Sequence, residues 1–111
     1  MHELAITQSV ISIVESEAGK RGFKRTVSIC LAVGEVSGFI PDCIREFFPI
    51  AAAGTAAGGA ELKIKTLPAR ISCLSCGYEG KPEGAVCPSC GSEAIRLVAG
   101  REFYVDSIEV E

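Results

Sequence analysis

Four of the six cysteines fall in two matching pairs, Cys73-Leu74-Ser75-Cys76 and Cys87-Pro88-Ser89-Cys90. Each pair is followed by a glycine, Gly77 or Gly91, and ten residues (77–86) separate them. A Cys-x2-Cys pair offers two thiolates from one tight turn, and the small residue after it lets backbone N–H groups face the sulfurs. Pro88 pre-sets the second turn. Two such knuckles supply four soft ligands, the tetrahedral set of a structural zinc ribbon. Four thiolates saturate the ion, so no position is left for a catalytic water. The short spacing predicts a compact tip around Lys81-Pro82-Glu83-Gly84.

Two other readings of the pairs are weaker. A redox pair wants a helix N-terminus to acidify one thiol, and neither Gly77 nor Gly91 opens a helix pattern. A rubredoxin-like iron site has similar knuckles, but it separates them much farther and wraps them in aromatics. Here only Tyr78 lies nearby. Cys30 and Cys43 read as small buried hydrophobes without chemistry.

His2 is the single histidine. A histidine at position two is ordinarily a solvated tail residue. Its placement nevertheless allows a chelate. The amine of Met1, the backbone nitrogen of His2 and the His2 imidazole close two adjacent rings. The backbone nitrogen of Glu3 offers a fourth nitrogen. A planar all-nitrogen set suits Ni(II) or Cu(II) better than zinc. Initiator methionine is trimmed before small residues, and histidine is not small, so Met1 is expected to supply the amine.

These groups need elements to hold them. Leu4, Thr7, Val10, Ile11, Val14 and Ala18 recur at helical spacing, which predicts a helix over 3–18 that ends at Gly19–Gly22. Val27, Ile29, Leu31 and Val33 alternate with small residues, a strand over 25–36 with a face on which something packs closely. Gly34-Glu35-Val36-Ser37-Gly38 turns the chain. Pro41 suits the first position of a second helix, with Ile44, Phe47 and Phe48 on its apolar face. Pro49 predicts a kink or an early end, followed by a small, flexible stretch over 51–59. Residues 60–67 read as a strand with Leu62 and Ile64 inward and Lys63 and Lys65 outward, closed by Pro68. A last strand is expected from about 97 to 110. Phe103 and Val105 share one parity, Ile108 and Val110 the other. A bulge near Asp106–Ser107 would put all four on one face. The fold class is therefore α+β: two helices on a three-stranded sheet, with a four-cysteine zinc ribbon inserted before the last strand. The expected division is an αβ unit of residues 1–68, completed by strand 97–111, and a ribbon unit of residues 69–96.

Composition bounds the rest. The chain has 111 residues and a formal charge of −3, the size of one domain, or of a small domain with a mini-domain. That excludes a large two-lobed enzyme. No basic surface points to nucleic acid, and no apolar run reaches a membrane span. The start lacks the features of a signal peptide, so a cytoplasmic address is expected. Three function classes compete. A zinc-ribbon module binding protein or nucleic acid wants cations and aromatics on the ribbon. Residues 70–96 hold Arg70, Lys81 and Arg96 against Glu79, Glu83 and Glu93. A metal hydrolase needs an open metal position and a general base, and the single histidine lies outside the cysteine cluster. A carrier of Ni(II) or Cu(II) needs only the N-terminal chelate, and on that reading the chain is no enzyme.

Met1-His2-Glu3-Leu4 opening a helix, the two knuckles through Ser92, and the closing Ser107-Ile108-Glu109-Val110 together resemble the HypA/HybF hydrogenase maturation proteins. Gly34-Glu35-Val36-Ser37-Gly38 and Gly59-Ala60-Glu61-Leu62 add to the resemblance, which spans the whole chain. The resemblance implies an αβαββ fold and nickel delivery to the large subunit of [NiFe]-hydrogenase. It implies a HypB-type GTPase partner and, in some organisms, a role in urease maturation. It places nickel on Met1, His2 and Glu3, and structural zinc on Cys73, Cys76, Cys87 and Cys90. A monomer or a homodimer is compatible with it.

Overall fold

A computed structural model describes residues 2–111, an elongated body of 54 × 26 × 17 Å. The chain opens with α1 (Glu3–Arg21), β1 (Thr26–Gly34), α2 (Pro41–Ala52) and β2 (Glu61–Leu67). It continues with β3 (Arg70–Cys73), β4 (Glu79–Gly80), β5 (Ile95–Ala99) and β6 (Phe103–Val110). Two three-stranded sheets result, ordered β2-β1-β6 and β4-β3-β5. In the first, β1 is central, parallel to β2 and antiparallel to β6. A parallel neighbour requires a crossover, and α2 supplies it.

Alternation in β1 decides the core. Ile29, Leu31 and Val33 point to the helices and are buried, with Val10, Ile11 and Val14 of α1 and Ile44, Phe48 and Ala52 of α2. The small residues between them explain the opposite face. Lys65 on β2 reaches over β1 to Asp106 on β6, Nζ to Oδ2 3.2 Å, and Ala32 beneath is fully buried. Leu31 sits at the centre of the core with no exposed surface. Leu31→Ala is expected to cost about 2–5 kcal/mol and to lower the thermal midpoint by about 8 °C or more, on the order of 4–8 °C per kcal/mol. Calorimetry on the metal-loaded protein checks this.

The helices differ from expectation in detail. α1 runs to Arg21, with Gly19 inside it, and stops at Gly22, whose φ of 76° and N–H to the Ala18 carbonyl form a left-handed cap. Its buried stripe starts at Glu3, not Leu4, which is 46% exposed. α2 continues past Pro49 to Ala52. Pro49 lies on the exposed side of the helix, where water can satisfy the carbonyl that loses its N–H partner.

The strand expected from 97 to 110 is two strands in two sheets. β5 pairs with β3 and β6 pairs with β1. Gly100, with φ 118°, makes the change of direction between them. The expected bulge is present: Cys30 faces Ser107 and Leu31 faces Val105, which leaves Asp106 as the extra residue. Phe103, Val105 and Ile108 thereby all pack on the core. Val110 does not follow them, because a second irregularity at Val27 shifts the register, and it stays 40% exposed. No helix among the described residues is long and apolar enough to cross a membrane.

Candidate metal centres

The second sheet exists to present two turns. β3 ends at Cys73, and the chain folds back so that Cys73 N–H bonds the Tyr78 carbonyl (2.8 Å) and Gly77 N–H bonds the Cys73 carbonyl (3.0 Å). The second turn repeats the pattern: Cys87 N–H to the Ser92 carbonyl and Gly91 N–H to the Cys87 carbonyl, both 2.8 Å. Gly77 and Gly91 have φ of 78° and 77°, a region that L side chains avoid. Backbone N–H groups of Ser75 and Ser89 point at the sulfurs of Cys73 and Cys87, each at 3.4 Å. The Ser75 and Ser92 hydroxyls meet at 2.9 Å and tie one knuckle to the other. The tip is compact as expected: Glu83 and Val86 form a bridge, and Tyr78 donates its hydroxyl to the Lys81 carbonyl.

The four Sγ atoms of Cys73, Cys76, Cys87 and Cys90 lie within 4.8 Å of one another. Cys73–Cys90 and Cys76–Cys87 are both 3.7 Å apart. A tetrahedral ion with metal–sulfur bonds of about 2.3 Å spaces its ligands by about 3.8 Å, so the set fits a tetrahedral metal. The thiols alone are in conflict. The N–H of Cys76, with that of Ser75 and the neighbouring thiols, brings Cys73 down to about 6 against the opposing effect of its burial. The N–H of Ser92 also pulls Cys90 down, but burial and the thiols of Cys76, Cys73 and Cys87 outweigh it and push Cys90 up to about 12. One site thus favours one thiolate and penalises another. A divalent cation removes that conflict, because it stabilises every sulfur as thiolate. Cys30 and Cys43 lie elsewhere in the chain, in β1 and α2, and are half-buried.

The other candidate group is at the start of α1. Met1, expected to give the amine, lies outside the described residues. His2 is exposed and occupies the N-cap, where its side chain makes no capping bond. Ile6 N–H to the His2 carbonyl, 3.0 Å, is the first bond of the helix. The amide nitrogens of His2 and Glu3 therefore precede the helical ladder. The Glu3 side chain has a role that its position in the sequence does not reveal. It is 3% exposed, and its Oε2 accepts the N–H of Ile40, 3.0 Å, at the start of α2. That bond is the first cause of a carboxyl held below the usual glutamate range. A local reading sees only a negative charge favoured by a helix N-terminus, because the donor is 37 residues away.

Comparison with known proteins gives a consistent outcome. Residues 1–110 match the family model described as "Hydrogenase/urease nickel incorporation, metallochaperone, hypA". A hydrogenase maturation factor HypA of Geobacter metallireducens is 42% identical over the full length of both chains. One from Acidithiobacillus ferrooxidans is 35% identical, again over both full chains. The fold is shared with the nickel metallochaperone HypA from Helicobacter pylori (TM-score 0.72, 24% identity, 99% of this chain and 97% of that one). It is also shared with a second HypA structure (TM-score 0.77, 23% identity, 100% of this chain and 97% of that one). With the family model matched from end to end and relatives at 42% and 35% identity over full chains, this protein belongs to the HypA family of hydrogenase and urease nickel-incorporation metallochaperones, which are maturation factors and not enzymes.

Proposed function

We propose that this chain carries Ni(II) at its N-terminus and hands it to the large subunit of [NiFe]-hydrogenase. The observation that carries this is the placement of His2, exposed at the lead-in to α1 and ahead of the first helical bond. The Met1 amine, the amide nitrogens of His2 and Glu3 and the His2 imidazole form the nickel set. The amide nitrogens of His2 and Glu3 come before the first helical bond, so an incoming partner can replace ligands one at a time. Protons returning to the amide nitrogens favour release. The Glu3 carboxylate accepts the Ile40 N–H, and the Glu3 backbone nitrogen is the group assigned to nickel.

Zinc is the resident metal of the ribbon, held by Cys73, Cys76, Cys87 and Cys90. Its role is structural: it holds two knuckles together and leaves no open position. The chain divides into an αβ nickel-binding unit of residues 1–68, completed by the last strand, and a ribbon unit starting at 69. The pairing of β5 with β3 supports placing the second boundary near Gly100. A HypB-type GTPase is the partner that times transfer, in the cytoplasm, with this chain acting as a monomer or a homodimer. Hydrogenase is the acceptor proposed here; urease is the alternative within the family.

Cells lacking this chain are expected to accumulate hydrogenase large subunit with less than a tenth of the normal nickel. Supplying the chain restores it, and supplying the His2→Ala chain does not. Elemental analysis of the purified subunit reads this. Normal nickel in the His2→Ala cells would contradict the proposal.

A further inference from the structure

The two units are joined by only two passages of chain, Pro68–Ala69 and Gly100–Glu102. Two single strands of this kind would leave a ribbon free to swing. Here both are bound by one short segment that starts at the last residue of β1. Gly34 N–H donates to the Glu102 carbonyl (2.7 Å), and Val36 N–H to the Gly100 carbonyl (2.8 Å). Between them, Glu35 N–H donates to the Leu67 carbonyl at 2.8 Å. The Glu35 carboxylate accepts the Ala69 N–H at 3.2 Å, on the other passage. Glu102 turns its own carboxylate onto Gly100 N–H at 2.7 Å. Packing closes the joint. Ala69 is buried, a Cβ on Gly100 would sit 2.8 Å from the Ala69 Cα, and a Cβ on Gly34 would overlap the Gly100 carbonyl.

The segment continues toward the other metal centre. Phe39 N–H bonds the Ser37 hydroxyl, and Ile40 N–H holds the Glu3 carboxylate next to His2. Phe39 also stacks edge-on against Phe103, the first residue after the second passage, with ring centroids 5.2 Å apart.

We propose that residues 34–40 form a brace that fixes the orientation of the cysteine ribbon relative to the helix end bearing His2, with Glu35 as its positioning side chain. The brace grips both passages at one end and the start of α1 at the other. A partner therefore meets the ribbon surface and the N-terminus as one rigid shape, not as two tethered pieces. This consequence rests on the nickel reading above; the fixed orientation does not, so the test uses no nickel.

The test is NMR on the full zinc-loaded chain, by backbone relaxation and amide exchange. The wild-type ribbon and αβ unit are expected to share one rotational correlation time. In Gly34→Ala, whose Cβ pries the second passage away, the two units are expected to tumble separately while zinc stays at one equivalent. Glu35→Ala keeps the backbone fold accessible should the glycine variant fail to fold. It is expected to speed exchange at least tenfold at Ala69 and also at Gly34 and Val36, whose acceptors are main-chain carbonyls, because the brace opens as a unit. Glu35→Gln keeps an oxygen acceptor and is expected to restore most of that protection. A wild-type ribbon that tumbles independently would overturn the proposal. So would a Glu35→Ala chain in which exchange changes at Ala69 alone or nowhere.

Discussion

Cys73→Ala is expected to lose its zinc and unfold residues 70–99 while the helices and the β2-β1-β6 sheet remain. The reason is the scarcity of core in the second sheet. Among the described residues, its buried apolar side chains are Ala69, Ile71, Cys73 and Cys87, and two of these are ligands. The metal's binding energy, on the order of 10 kcal/mol or more for comparable zinc peptides, is then the folding energy of the ribbon. The first sheet has its own core between Val10, Val14, Ile29, Leu31, Ile44 and Phe48, and β6 pairs with β1 independently of the cysteines. The variant therefore unfolds in part, and two-state bookkeeping does not apply to it. Elemental analysis should give less than 0.1 zinc per chain after mild chelation, and amide signals of the ribbon should collapse to unfolded positions while those of β1 persist. A variant that keeps a full equivalent of zinc would show that the ligand set is wrong.

His2→Ala is expected to abolish tight nickel binding and to leave zinc and fold unchanged. The chain has one histidine, so no second imidazole can take its place. The side chain is exposed and makes no capping bond, so its removal should change stability by less than about 0.5 kcal/mol. A loss of nickel affinity of at least 100-fold, with an unaltered melting curve, separates a ligand from a structural residue. Tight stoichiometric nickel in this variant would remove the basis for placing the cargo site at the N-terminus.

The parts that were legible from sequence are those set by local chemistry. Each knuckle is a self-contained turn whose two cysteines and glycine lie within five residues, 73–77 or 87–91, so spacing alone predicts the four-sulfur cluster. The bulge at Asp106 was legible because a side chain's parity must match the core. What escaped depends on partners distant in sequence. Residues 97–110 read as one strand on the parities of Phe103, Val105, Ile108 and Val110, yet Gly100 turns the chain from one sheet to the other, and only the pairing of β5 with β3 reveals it. Glu3 reads as a helix-start charge, and its Ile40 donor lies on another element. Gly34-Glu35-Val36 reads as a plain turn, and its role appears only when Leu67, Ala69, Gly100 and Glu102 converge on it. Pro49 was legible as a helix breaker but not as a harmless one, because exposure of that side of α2 is a tertiary property.

The central claim is that nickel sits on the N-terminal amine and the nitrogens beside it. The most direct measurement is a nickel titration of zinc-loaded protein beginning at Met1, run beside the same protein with two residues added ahead of Met1. Filling the ribbon with zinc first keeps nickel off the thiolates. The account predicts one tightly bound nickel in the native chain. It predicts at least a tenfold weaker site in the extended one, where every native side chain remains but the amine has moved and the chelate ring at Met1 cannot close. Equal affinity in the two proteins would contradict it.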